Sequence, residues 1–385
     1  MGGVFDSIVL GVGGMGAAAV YELARRGRRV LGLEQFQIGH ELGSSAGSTR
    51  IFRFAYFEHP SYVPLMRLAH ARWQALELAF GERLLTRTGG LDIGPASGRV
   101  VGGAKEACLR HGLDHEVLTA GEVERRFPAW RLPAEFAAVH QPDAGFLRAE
   151  RAIHAHVALA RRFGADVREN EAVRRITAAG DRVEVTTPSG RYEAGSLVLA
   201  AGAWTAKLLG GFAALAIPER QVVGWFKAGE ACAAEAFPVF ILDCPHAGIF
   251  YGFPRLAAEG LKVGKFHHRR ERVDPDSIDR EIAPEDIGVL SGVERYLAAP
   301  LGPPLATKTC MFVNSPDEHF IIDVLPEQRN IVIAAGFSGH GFKFCSAIGE
   351  ILADLATFGT TEHDILLFRL ARAAVSGAAS PVRLP

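Results

Sequence analysis

The sequence predicts an α/β protein that opens on a Rossmann-type β–α–β unit and interleaves a second, mixed region with it along the chain. Three observations predict this. An apolar run, Ser7–Leu10, leads straight into Gly11-Val12-Gly13-Gly14-Met15-Gly16, a GxGxxG pattern, and then into helix formers. A second apolar run, Arg29–Leu33, ends on an acid, Glu34, eighteen residues after Gly16. The 385 residues contain no low-complexity linker and no repeat of solenoid period. They are enough for two or three domains at ~150 residues each, so the regions must interleave rather than follow one another.

The elements follow in order. Ser7–Leu10 reads as a buried strand, Met15–Arg26 as a helix stopped by Gly27, and Arg29–Leu33 as the next strand; together they make a unit of about 30 residues. A polar Gly/Ser-rich stretch, His40–Thr49, precedes a helix over Tyr62–Phe80. Val100–His111, Glu122–Phe127 and the amphipathic Arg148–Phe163 read as helices. Short strands are expected at Ala172–Ile176, Arg182–Thr186 and Leu197–Ala200. Pro218–Lys265 reads as strands and turns, with the apolar runs VVGWF and GIFYGF, and Ala283–Tyr296 as one helix. Strands at Phe320–Ile322 and Ile331–Ala335, a glycine turn and a helix over Gly341–Phe358 complete the chain.

Composition narrows the function. The formal net charge is −1, which argues against binding nucleic acid or anionic membrane by bulk electrostatics. Hydrophobic residues at 48% and charged residues at 22% exclude disorder. The five cysteines, Cys108, Cys232, Cys244, Cys310 and Cys345, are scattered, and no CxxC or Cys/His pattern of metal-site type appears. An odd, low count fits a reducing compartment. With no basic signal-peptide start and no run of ~18 apolar residues, the expectation is a cytoplasmic protein.

The glycine motif points to a dinucleotide. Gly11 allows the tight turn, Gly13 lets the backbone approach a pyrophosphate, and Gly16 lets helix and strand pack closely. Gly14 leads into the helix from Met15, and the helix N–H groups and positive dipole end face the phosphates. Glu34 is placed to accept hydrogen bonds from ribose hydroxyls. An acid there disfavours a 2′-phosphate but does not separate FAD from NAD.

The remaining motifs decide between them. Gly47-Ser-Thr-Arg-Ile-Phe-Arg53 with Ala55-Tyr56, Tyr62-Val-Pro-Leu65, Ala201-Gly-Ala-Trp204, Tyr251-Gly-Phe-Pro254 and Leu261-Lys-Val-Gly264 come first. Asp274-Pro-Asp276, Cys310-Met311, Pro316-Asp-Glu-His-Phe-Ile-Ile-Asp323 and Ala335-Gly-Phe-Ser-Gly-His-Gly-Phe-Lys343 follow. In this order, over nearly the whole chain, they resemble the monomeric sarcosine oxidase and N-methyltryptophan oxidase family of D-amino-acid-oxidase-like flavoproteins. The resemblance implies a discontinuous FAD-binding domain, residues 1–90, 146–216 and 318–385. It implies an α+β substrate domain, residues 91–145 and 217–317, whose large mixed sheet covers the flavin. The implied reaction oxidises a secondary α-amino acid, N-methyl or cyclic, to an imine, with O2 reduced to H2O2 and the imine hydrolysed in water. Sarcosine is the default substrate. L-Pipecolate, L-proline and N-methyltryptophan stay open, as does a dehydrogenase with another electron acceptor. A monomer is expected, with the amino acid and O2 as its only partners.

The resemblance also assigns residues. Cys310 is similar to a covalent anchor for FAD through the 8α-methyl of the ring, with Met311 beside it. Lys262 matches the lysine that acts on oxygen, although its apolar neighbours Leu261 and Val263 fit an inward-aimed side chain poorly on strand alternation. Arg53 and Lys343 match a pair that holds the substrate carboxylate. Arg50, one helical turn from Arg53, would favour the reduced ring. Tyr251 and His267 are the pocket candidates, with His268 an alternative to His267. Ser44, Ser45, Thr49, Val173, Ala201, Gly202 and Trp204 would line the cofactor. Gly339, His340 and Gly341 form the turn at its pyrimidine end. Two departures stand out. Ala46 lies in a loop where many relatives carry histidines, and Phe312 replaces a tyrosine often found two residues after the anchor, which hints at a more apolar substrate.

Overall fold

The computed structural model describes residues 4–256 and 259–375. Residues 1–3 and 376–385, the two ends of the expected FAD-binding domain, lie outside the described residues.

Two eight-stranded sheets and one small sheet organise the chain. In the first, Val4–Leu10 pairs in parallel with Val30–Leu33 on one side and Gly190–Leu199 on the other. Gly190–Leu199 changes partner half-way along its other edge. Its first residues pair antiparallel with Arg182–Thr187, and Leu197–Leu199 pair in parallel with Ile331–Ile333. The central strands are apolar runs because both faces are covered. Helices Gly14–Arg25, Ala149–Arg162 and Cys345–Phe358 pack on one face, and a second apolar cluster containing Phe212, Leu215 and Met311 packs on the other.

The second sheet runs in the order Pro304–Asn314, Ile217–Phe226, Leu261–Lys265, Gly248–Phe253, Val239–Cys244, Gly90–Pro95, Phe136–Gln141 and Glu116–Thr119. All neighbours are antiparallel except Gly90–Pro95 with Val239–Cys244, so the sheet is mixed. A three-stranded sheet of Thr49–Phe52, Gly145–Arg148 and Leu85–Arg87 lies between the two in sequence.

Several local expectations change. Thr49–Phe52 is a strand paired with Gly145–Arg148, so Arg50 and Arg53 are not one helical turn apart. The strand expected at Ala172–Ile176 is Arg175–Ala179, and Val173 stays in irregular backbone before it. Ala283–Tyr296 divides at Gly292 into the helix Pro284–Ser291 and a 3-10 turn. The last long helix begins at Cys345, because Phe342–Phe344 forms a 3-10 turn first.

Candidate active site

A cavity of about 470 Å³ lies between the carboxyl ends of the first sheet's parallel strands and one face of the second sheet. Its walls hold Gly11–Met15, Glu34, Ser44, Ser45, Thr49, Arg50, Arg53, Val173, Ala201, Gly202 and Trp204. They also hold Tyr251, Lys262, Cys310, Met311, Gly339, His340, Gly341 and Lys343. Of the site residues singled out from the sequence, Gly16, His267 and its alternative His268 do not line it.

The first wall is a cradle of backbone. Gly11 has φ +80°, and a side chain there would meet the Ala200 carbonyl oxygen at 2.6 Å. At Gly16 a Cβ would stand 1.7 Å from the Gly11 oxygen, so Gly16 serves the packing of helix on strand and not the lining. Gly13 caps the helix with no side-chain bond of its own and no acid in the first turn; Gly14 N donates to Ser45 Oγ at 3.3 Å, and the N–H groups that follow it are left for an anion. Glu34 accepts from Val12 N at 2.8 Å and Phe36 N at 3.1 Å; burial raises its carboxyl, against those bonds. This cradle, with the acid on its wall, fits a dinucleotide.

A loop then crosses the cavity. Arg50 donates to the carbonyls of Thr49 at 2.8 Å and Ser44 at 2.9 Å, and to that of Ala46. Glu150 accepts from Gly47 N at 2.7 Å and Ser48 N at 3.0 Å. Lys262 reaches over from the second sheet to the Gly47 carbonyl, to Thr49 O at 3.0 Å and to Thr49 Oγ1 at 3.2 Å. The loop is thus pinned from three elements.

Lys262 is 3% exposed. Alternation misleads here because its sheet is covered on both faces: Leu261 and Val263 enter the core behind, and Lys262 faces the cavity. Its ammonium lies 4.5 Å from the Phe253 ring centroid and 5.2 Å from that of Trp225, its two cross-strand partners. Burial, then Arg50, pushes its pKa well below the usual lysine value. Tyr251 lies opposite Gly264, which makes room for it: a Cβ there would fall 2.4 Å from the phenol oxygen. Cys310 is buried on the neighbouring wall. Burial raises its thiol, opposed by Arg50 and Lys262.

At the far end Arg53 and Lys343 sit over one ring, 4.5 and 5.0 Å from the Tyr56 centroid. Arg53 donates to both Glu58 oxygens at 2.7 and 2.8 Å and to Ala55 O at 2.5 Å. Burial raises the Glu58 carboxyl, but Arg53, His340 and Lys343 outweigh it and hold it below the usual range. Lys343 donates to His340 O at 2.6 Å and Tyr56 Oη at 3.1 Å; burial, then Arg53, brings it down to about 7. His340, pushed down to about 4 by burial, is neutral at pH 7. Its Nε2 faces the Glu318 carbonyl at 3.0 Å, which can only accept, so Nδ1 accepts from Tyr56 Oη at 2.7 Å. The Tyr56 oxygen is then left to accept from Lys343.

His267 lies elsewhere. Phe266 takes the cavity position, and His267, at φ +53°, is held between Glu219 at 3.1 Å and Glu318 at 3.0 Å. His268 is buried against Asp286 at 2.9 Å. The two carboxylates raise His267 to about 9, against burial. A raised pKa contributes stability that is complete below the unfolded value of ~6.5 and fades as pH rises through about 9. The melting-temperature gap between wild type and His267→Gln should therefore shrink between those limits; a constant gap would exclude the ion pairs as its source.

Glu58, Asp92 and Gln141 carry no assignment from the sequence, yet they surround Arg53. One signal was present: Asp92 is a lone acid in the apolar strand GLDIGP, and buried acids are rarely idle.

Comparison with known proteins agrees with this geometry. The family described as FAD dependent oxidoreductase matches residues 6–355. The chain belongs to that family. Monomeric sarcosine oxidase from Bacillus sp. (strain B-0618) is 40% identical, covering 96% of this chain and 97% of its own. N-methyl-L-tryptophan oxidase from Yersinia pestis (strain Pestoides F) is 33% identical over 96% of this chain and 99% of its own. Among solved structures, NikD, an unusual amino acid oxidase essential for nikkomycin biosynthesis, superposes with a TM-score of 0.81 at 26% identity, covering 95% and 97% of the two chains. As a member of that family the chain is an FAD-dependent oxidoreductase. Among the described residues no helix is long and apolar enough to cross a membrane.

Proposed function

We propose that this oxidoreductase oxidises a secondary α-amino acid, with an N-methyl amino acid such as sarcosine as the leading class, and passes the electrons to O2. The observation that carries the reading is the placement of Arg53 and Lys343 over one ring at the end of a cavity whose other end is a dinucleotide cradle. An arginine fork and a compact ammonium suit an amino acid's carboxylate. The two sarcosine and N-methyltryptophan oxidase relatives support the class.

FAD supplies, when bound, a two-electron acceptor for the substrate's C–H bond that O2 regenerates. The chain's own work is positional. Gly11–Met15 and Glu34 would hold the adenosine and pyrophosphate, and Val173, Ala201 and Trp204 would close around them. Arg53 and Lys343 would fix the carboxylate, while Tyr251, Phe253, Phe266 and Phe312 keep water from the reacting carbon. Lys262 would hold a positive charge where oxygen is reduced. Arg50 would favour negative charge on the ring beside it. Residues 1–90, 146–216 and 318–385 are proposed as the FAD-binding domain, and the protein as a cytoplasmic monomer.

Anaerobic mixing of the purified protein with sarcosine, L-proline, L-pipecolate and N-methyltryptophan tests this. Bleaching of the oxidised-flavin band by a member of the panel is expected, and no bleaching by any of them would remove the reading. Oxygen uptake against dye reduction separates oxidase from dehydrogenase.

Cys310 is proposed as the covalent attachment point, the one cysteine on the cavity wall. Acid-precipitated wild type should be yellow and Cys310→Ala colourless; a yellow variant pellet would place the link elsewhere. Ala46, buried beside Arg50, stands in the loop where many relatives carry histidines, so attachment should form slowly.

A further inference from the structure

We propose that Asp92 is a positioning residue of the carboxylate subsite: buried against Arg53 with one oxygen unpartnered, it takes up a proton when an anion docks on Arg53 and Lys343. The inference rests on the reading of those two cations as the carboxylate holders.

The hydrogen bonds leave little alternative. Asp92 is 1% exposed in the middle of the second sheet, flanked by Val139 and Ile241. Its Oδ2 accepts from Gln141 Nε2 at 2.8 Å. Gln141 cannot turn to offer more, because its Oε1 accepts from Phe54 N at 3.0 Å and Ala55 N at 2.6 Å. Among the described residues Asp92 Oδ1 has no partner, and the nearest cation atom, Arg53 Nε, is 3.9 Å away. Arg53 commits Nη2 to Glu58 and one Nη1 N–H to the Ala55 carbonyl, and Nη1 keeps a second N–H for an incoming anion. Glu58 thus neutralises Arg53, and a second ionised carboxylate would hold an uncompensated oxygen out of water. A proton on Oδ1 removes the cost of the buried charge.

The charged groups facing Asp92 are Arg53, Glu58 and Lys343. The Cys108 thiol, from the helix Arg99–His111 behind the strand, is neutral, pushed up to about 12 by burial and then by Asp92. Burial raises the Asp92 carboxyl to about 7 against Arg53, and Lys343 falls to about 7. Below neutrality the cluster therefore holds two cations against one carboxylate. Above it, the cluster holds one cation against two. An incoming carboxylate favours the first state, so binding in alkaline solution draws one proton from solvent to Lys343 and a second to Asp92.

Calorimetric titration of the holoenzyme with cyclopentanecarboxylate, which has no amine to confuse the count, tests this in two buffers of different ionisation enthalpy. At about pH 8 the wild type should take up more than one proton, and Asp92→Asn, which keeps the contact with Gln141, should take up about one fewer. The variant should bind roughly tenfold more tightly than wild type at that pH, having lost a buried negative charge, and equally at about pH 6. A purely structural role would change affinity by the same factor at both. Uptake of one proton or less by wild type, which needs no variant to fold, would overturn the proposal, as would equal uptake by the two proteins. Failure of the carboxylate to bind at any pH would remove the carboxylate reading itself and Asp92 with it, whereas binding with a single proton removes only Asp92.

Discussion

Lys262→Met should slow reoxidation by O2 on the order of 100-fold while leaving reduction by substrate within a few-fold of wild type. The side chain makes this a local test. Methionine matches the length of the lysine stem and packs equally well against Phe253 and Trp225, so the wall keeps its shape and loses only its charge. The charge is fixed in place by the Gly47 carbonyl and both oxygens of Thr49, so it needs no reorganisation when negative charge develops beside it. The same burial that makes it effective makes it titratable. Its pKa lies well below the ordinary lysine value, so wild-type reoxidation should slow as pH rises through that lowered pKa, and the Met variant should show no such fall. Rapid mixing of pre-reduced protein with oxygenated buffer across pH reads both. Equal loss in the two half-reactions would mean that Lys262 holds the 47–49 loop in shape and does nothing further.

The ease of reading each part of the site follows from how local its cause is. The cradle was legible because a GxGxxG turn is a demand of adjacent backbone: Gly11 needs its positive φ and Gly16 its contact with Gly11 whatever the rest of the chain does. Lys262 was legible only by resemblance, since strand alternation assumes one wet face and Leu261–Lys265 is buried on both. The spacing of Arg50 and Arg53 reads as one helical turn; the pairing of Arg50 and Ile51 with Leu147 and Phe146, about a hundred residues on, makes the segment a strand. His267 was misplaced because one residue of register in a short strand end decides which side chain faces inward, and Phe266 holds that position. The counterions of Arg53 were least visible. Glu58 comes from a loop, Asp92 and its partner Gln141 from two strands distant in sequence, and of these only Asp92, a lone acid in an apolar strand, carries a local mark.

That shared burial makes Arg53→Ala the most damaging single change at the site. Two effects should appear together. Affinity for carboxylate ligands should fall at least about 100-fold, because a buried, hydrogen-bonded cation opposite an anion is lost. Stability should fall by about 3–5 kcal/mol, because Glu58 and Asp92 are left close together with Lys343 as the cation that remains beside them among the described residues. The remaining carboxyls would respond by rising: Glu58, now held low by Arg53 against burial, should protonate at a higher pH, so the variant should recover part of its stability as pH falls. A paired variant separates binding from folding. Arg53→Met with Glu58→Met removes the cation and its main counterion together and fills the space with apolar atoms, which for a buried pair is often near neutral in stability. Its melting temperature should return most of the way to wild type while its carboxylate affinity stays as low as that of Arg53→Ala. If affinity returned with stability, the carboxylate would be held by Lys343 and its Tyr56–His340 support alone, and Arg53 would be a structural cation whose place beside the cavity is incidental.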